Sequence, residues 1–140
     1  MKTFLWLAMA IMSMNAQAAN TLHGEWKFSG LIYHGQVLPP PNPSLNLTWT
    51  FFSNGTERLY WDRRGENGFC ERFATYNLDG GQISENIFAV NPANNESCSQ
   101  DPDMQVGRET LNKIEIQKQQ MLLHLQIGDE ELIYILKEIL

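Results

Sequence analysis

The chain has 140 residues, 43% hydrophobic and 11% aromatic, which is enough for one domain with a single core. Ten Lys and Arg stand against sixteen Asp and Glu, a formal net charge of −6. That balance argues against nucleic acid and anionic membrane surfaces as partners, since both reward clustered cations.

Lys2, the apolar run Phe4 to Met12 and the small-x-small box Ala16-Gln17-Ala18 read as a secretory signal peptide over residues 1–18. Cleavage after Ala18 is expected, with no Cys following to carry a lipid anchor, and one domain over residues 19–140. No later segment approaches the roughly 20 apolar residues of a membrane span. The expected location is secreted or periplasmic. Cys70 and Cys98 form an even pair in such an oxidising compartment and are expected to be disulfide-bonded.

Short alternating segments then run along the chain. Trp26, Phe28 and Ile32 alternate with Glu25, Lys27 and Ser29 in a first strand ending near Tyr33. Leu38 to Pro43 holds four prolines and predicts a stiff, extended loop. Leu45, Leu47, Trp49 and Phe51 give a second strand, and Asn54-Gly55 predicts a type I′ hairpin turn. The third strand, Thr56 to Asp62, sets Leu59 and Trp61 against Arg58 and Tyr60. Strands follow at Phe69–Leu78 and Gln82–Val90, joined at Asp79-Gly80-Gly81. Residues 91–107 form a long polar loop, uncommon unless functional or tethered, and Cys98 would supply the tether.

Three more strands close the chain. Arg108–Lys118 buries Ile114 and Ile116, and Gln120–Ile127 sets Met121, Leu123 and Leu125 against His124 and Gln126. Glu131–Leu140 is apolar on both faces, Leu132, Tyr134 and Leu136 against Ile133, Ile135 and Ile139. The first of these sets is expected on the outside, covered by another part of the chain or serving self-association or a protein partner.

At Gly24-Glu25-Trp26 the chain resembles the lipocalin superfamily in its broad sense. The resemblance implies an all-β, eight-stranded antiparallel up-and-down barrel, with a tryptophan plugging one end and a small apolar molecule as ligand. It also implies a lid at the open end, where Pro39–Pro43 falls in the sequence. A Thr-Asp-Tyr-like second motif and an arginine near the C-terminus placed to cover Trp26 are not found.

Nothing resembles a catalytic constellation: His23, His34 and His124 are scattered and no nucleophile sits in an elbow with a base. A non-enzymatic protein without metal or cofactor is expected. Asp101-Pro102-Asp103, with Glu96 nearby, reads as a solvated acidic loop rather than a calcium loop. Asn46-Leu-Thr48, Asn54-Gly-Thr56 and Asn95-Glu-Ser97 match the glycosylation acceptor pattern. Glu71, between Phe69 and Phe73, would face inward if those rings do, paired by Arg58 or Arg72.

The candidate ligand-binding set is Trp49, Phe51, Leu59, Trp61, Glu71 and Phe73. The reading favoured is an exported binding protein for a small, largely apolar molecule. The alternative is a protein-interaction module, such as a protease inhibitor or envelope accessory factor, with a filled barrel. The discriminator is whether the interior is hollow.

Overall fold

Alternation of apolar and polar residues predicts strands that bury one face, and the structure, a computed structural model describing residues 22–140, is built from nine of them. They are β1 Gly24–Tyr33, β2 Gln36–Leu38, β3 Leu45–Phe51, β4 Thr56–Arg63, β5 Phe69–Asp79, β6 Gln82–Val90, β7 Glu109–Gln117, β8 Gln120–Ile127 and β9 Glu130–Ile139. The predicted signal peptide lies outside the described residues.

All neighbours are antiparallel, and β1 pairs with both β3 and β9, so β1 and β3–β9 close an eight-stranded up-and-down barrel. Closure leaves those eight strands without a long free edge. The short β2 pairs with the last residues of β1, Leu31–Tyr33, beside the part of β1 that β3 does not reach. It was not anticipated, because its turn depends on His34. Both His34 and Gly35 have positive φ (49° and 72°), as a type I′ turn requires, and His is an uncommon first residue for it.

The turn at Asn54-Gly55 departs from expectation as well. Gly55 has φ 82° but Asn54 is not left-handed, and Phe52 both donates to the Thr56 carbonyl and accepts from Gly55 N–H. That is a three-residue loop with glycine at its left-handed position rather than a type I′ turn. Asn54 and Asn95 each accept from the N–H and the hydroxyl two residues on, in Thr56 and Ser97. Two of the acceptor-like Asn-x-Ser/Thr patterns are therefore turn staples.

The core runs through the barrel. Trp26 is 2% exposed and donates its indole N–H to the Leu22 carbonyl at 2.9 Å, so Leu22 and Trp26 plug one end together. A bulge between Phe28 and Gly30 shifts the phase of β1, and Leu31, opposite Tyr134, takes the inward position that unbroken alternation would deny it.

The last strand needs a correction. Tyr134 and Leu136 face the interior, and Leu132 shares their parity, so the outer face of β9 carries Ile133 and Ile135 instead. Alternation defines two faces without saying which is inside. The cross-strand partners, inward Met121 and Leu123 opposite Leu136 and Tyr134, decide it.

Candidate functional site

Inward parity on three adjacent strands brings charge into the barrel. On β4, Glu57 shares a face with Leu59 and Trp61, and on β6 Glu85 shares one with Ile83 and Ile87. Between them on β5, Arg72 shares a face with Cys70 and Ala74. The Arg72 guanidinium donates to Glu57 Oε1 through one terminal nitrogen and to Glu85 Oε1, at 3.0 Å, through the other. Trp49 Nε1 donates to Glu57 Oε2 at 2.8 Å, and the Thr110 hydroxyl to Glu85 Oε2 at 3.1 Å. Glu57 is fully buried and Arg72 has a side chain 5% exposed.

Burial sets the ionisation. It pushes the Glu57 carboxyl up to about 8, and neighbouring Glu85 adds to that, against the opposing charge of Arg72. Burial alone would lower Arg72, but the two carboxylates outweigh it and the guanidinium stays charged.

Arg72 and Glu85 of this triad border an interior cavity of about 210 Å³. Leu47, Trp49, Leu59, Leu123 and Leu136 give it apolar walls, and Arg72, Glu85, Thr110, Asn112 and Tyr134 add polar groups. Residues 91–108 contribute Asp103 and Arg108, which pair at 2.8 Å. Asp103 is raised by burial and by Asp101, and Tyr134 by burial and by these two acids.

The long loop is thus the cover over this end. It contains two short 3₁₀ turns, Glu96–Gln100 and Pro102–Met104, and both Cys98 and Met104 are buried in the core. Cys98 is disulfide-bonded to Cys70 of β5, as the even count predicted. Backbone bonds from Asn91 to Glu71 and from Asn95 to Phe69, both 3.0 Å, lay the loop along the start of β5. Pro39–Pro43, the segment expected to be the lid, does not line the cavity.

Of the residues expected to hold a ligand, Trp49 and Leu59 line the cavity. Phe51 and Trp61 are buried in the core but outside the lining. Glu71 and Phe73 stand on the outer face, since β5 turns Arg72 inward. Glu71 accepts from Arg58 Nε at 2.5 Å and from Asn91 Nδ2 at 2.9 Å, a structural ion pair under the loop. His124, also on the outside, lies 2.6 Å from Glu115. Among the described residues no group of three or more His, Cys, Asp or Glu is placed to hold a metal ion.

The closed barrel fold has solved counterparts. One is described as a lipocalin-like protein from Bacteroides uniformis, with TM-score 0.56 and 18% identity over 84% of this chain and 98% of that one. The fold is lipocalin-like. An uncharacterized protein from Bacteroides eggerthii is similar too, with TM-score 0.53 and 16% identity over 84% and 98% of the two chains. No family model matches the sequence, and no curated protein does. At these identities the lipocalin-like likeness concerns the fold. Among the described residues no helix is long and apolar enough to cross a membrane. The disulfide points to a non-reducing compartment.

Proposed function

We propose that this lipocalin-like chain is an exported, non-enzymatic binding protein that holds a small, largely apolar molecule inside its barrel. The observation that carries the reading is the cavity of about 210 Å³ beneath the disulfide-tethered loop. Ligand sites are mostly apolar cavities with a few convergent polar groups, and this one has that make-up at a volume below the roughly 300–1,000 Å³ of sites for drug-sized ligands, which suits a smaller molecule. An eight-stranded barrel is either filled by its own side chains or keeps room for one small ligand. The cavity favours the second, and with it the binding protein over the interaction module with a filled barrel. The signal-peptide pattern of residues 1–18 and the disulfide support export.

The test is mass spectrometry, under native conditions, of protein recovered from its own compartment, followed by tryptophan quenching with small apolar probes. Trp49 lines the cavity, so occupancy should change its emission saturably. A protein with no bound species and no saturable quenching by any probe would overturn the proposal.

A further inference from the structure

One seam of the barrel wall stops pairing early. β7 and β8 are registered over Ile114–Gln117 and Gln120–Leu123 alone. Beyond that, Glu109–Lys113 stay paired with β6 and His124–Ile127 with β9, and the two stretches do not pair with each other. Continued register would set Asn112 opposite Leu125 and Leu111 opposite Gln126.

The cavity reaches this seam. Thr110, Asn112 and Leu125 line it, and so does Gln126. Gln126 has the outward parity of His124, and alternation would keep it out of the interior if the wall were intact there. The two ends of the barrel are fastened instead. Leu22 and Trp26 plug one. At the other, the loop is bonded to β5 at Asn95 and Cys98, and its last residues are bonded to β6. There Gly107 N–H donates to the Ile87 carbonyl at 2.7 Å, and Ile87 N–H to the Arg108 carbonyl at 3.0 Å.

We infer that the β7–β8 seam is the mouth of the cavity and that the ligand is an uncharged amphiphile. Its apolar body lies among Trp49, Leu59 and Leu123, and its hydroxyl or amide head lies at the seam between Asn112 and Gln126. The inference rests on the binding reading above and adds the ligand's class and its way in. Size fits, since a dry cavity of about 150 Å³ accepts benzene and this one is about 210 Å³. Charge decides the head. Both cations in the lining already face carboxylates in the lining, Arg72 with Glu85 at 3.0 Å and Arg108 with Asp103 at 2.8 Å. A charged head would have to break one of these pairs or stay uncompensated in a largely apolar space. The side-chain amides at the seam both donate and accept, which suits a neutral hydroxyl or amide.

The experiment uses the full disulfide-bonded chain, titrated in a calorimeter with 1-hexanol, hexanoate and hexylamine at pH 7. 1-Hexanol should bind at least tenfold more tightly than either charged probe. In NMR spectra of that complex, the hydroxyl end should give intermolecular NOEs to the side-chain amides of Asn112 and Gln126. The methyl end should give them to Leu59 and Leu123. Joining the seam by a disulfide in the double variant Leu111→Cys, Gln126→Cys should slow both entry and exit of toluene at least tenfold. If that variant does not fold or cross-link, the probe series and the NOEs on the unaltered chain still decide. A charged probe binding as tightly as 1-hexanol, or a hydroxyl end placed against Asp103 and Arg108, would overturn the inference and leave the cavity reading standing. Unaltered toluene exchange in the cross-linked chain would do the same. Binding of neither 1-hexanol nor toluene would overturn the cavity reading itself.

Discussion

Glu71 and Arg72 are adjacent on β5, and their charges stand on opposite sides of the barrel wall. Outside, the Glu71 carboxylate accepts from Arg58 and Asn91, and its backbone N–H donates to Asn94 Oδ1 at 2.8 Å, clamping the start of the long loop. Inside, Arg72 spans Glu57 and Glu85 at the cavity wall. With Cys70 one residue earlier bonded to Cys98, three consecutive residues of one strand hold the loop and shape the space beneath it. Loop and cavity should therefore respond to the same perturbations.

The disulfide offers the simplest perturbation. Cys98→Ser opens a covalent loop with a sequence separation of 28, which should lower stability by about 3–4 kcal/mol in the chain-entropy model. The barrel strands should keep their hydrogen-exchange protection while residues 91–107 lose theirs. Thiol titration of the denatured, unreduced wild type should find no free cysteine.

Glu57 makes stability depend on pH. A carboxyl raised to about 8 by burial binds a proton more tightly in the folded chain than in the unfolded one, where about 4.3 is usual. Its stabilising contribution is complete below the unfolded value and is lost as pH rises through about 8. The slope from this one group is about 1.4 kcal/mol per pH unit inside that window. Glu57→Gln cannot ionise, so chemical denaturation should show wild type losing ground to the variant between pH 5 and pH 8. A constant difference between the two across that range would contradict the assignment.

The plugged end should be intolerant. Trp26→Ala removes a ring that is 2% exposed and orphans the Leu22 carbonyl, at a cost of about 3–5 kcal/mol. That is a large share of a small domain's stability. Thermal unfolding of the variant should occur far below wild type or not cooperatively at all.

Gly30 tests the unexpected strand. A Cβ there would lie 2.6 Å from the Leu38 carbonyl oxygen, a contact with backbone that only a shift of β2 can relieve. Gly30→Ala should cost about 1–3 kcal/mol, as overpacking does. Its amide spectrum should change around Gln36–Leu38 and leave β5–β8 unmoved.

Much of this architecture is legible in the sequence because strands that bury one face must alternate. Trp49 with Phe51 and Leu59 with Trp61 announce both strand and face, and two cysteines behind a signal-peptide pattern announce their bond. The charged triad was legible in the same way: Glu57 has the parity of Leu59, Arg72 that of Cys70, and Glu85 that of Ile83. It was missed because charges are placed outside by default, a good rule that fails where they pair. Glu71 attracted notice for its aromatic flanks, but on β5 the rings at Phe69 and Phe73 are the outer set. What alternation cannot carry are features fixed by distant contacts. The bulge in β1 is one, the left-handed His34 another. The loop is a third, since a polar segment becomes a cover through Met104 and Cys98 entering the core.

The central claim is that the barrel interior takes up a small, largely apolar ligand, and leucine methyl NMR during titration with toluene tests it most directly. Leu47, Leu59, Leu123, Leu125 and Leu136 border the cavity, whereas Leu38 and Leu111 are exposed large hydrophobics. The account predicts saturable shifts confined to the five cavity leucines. Unmoved cavity methyls at saturating probe, or shifts confined to Leu38 and Leu111, would contradict it.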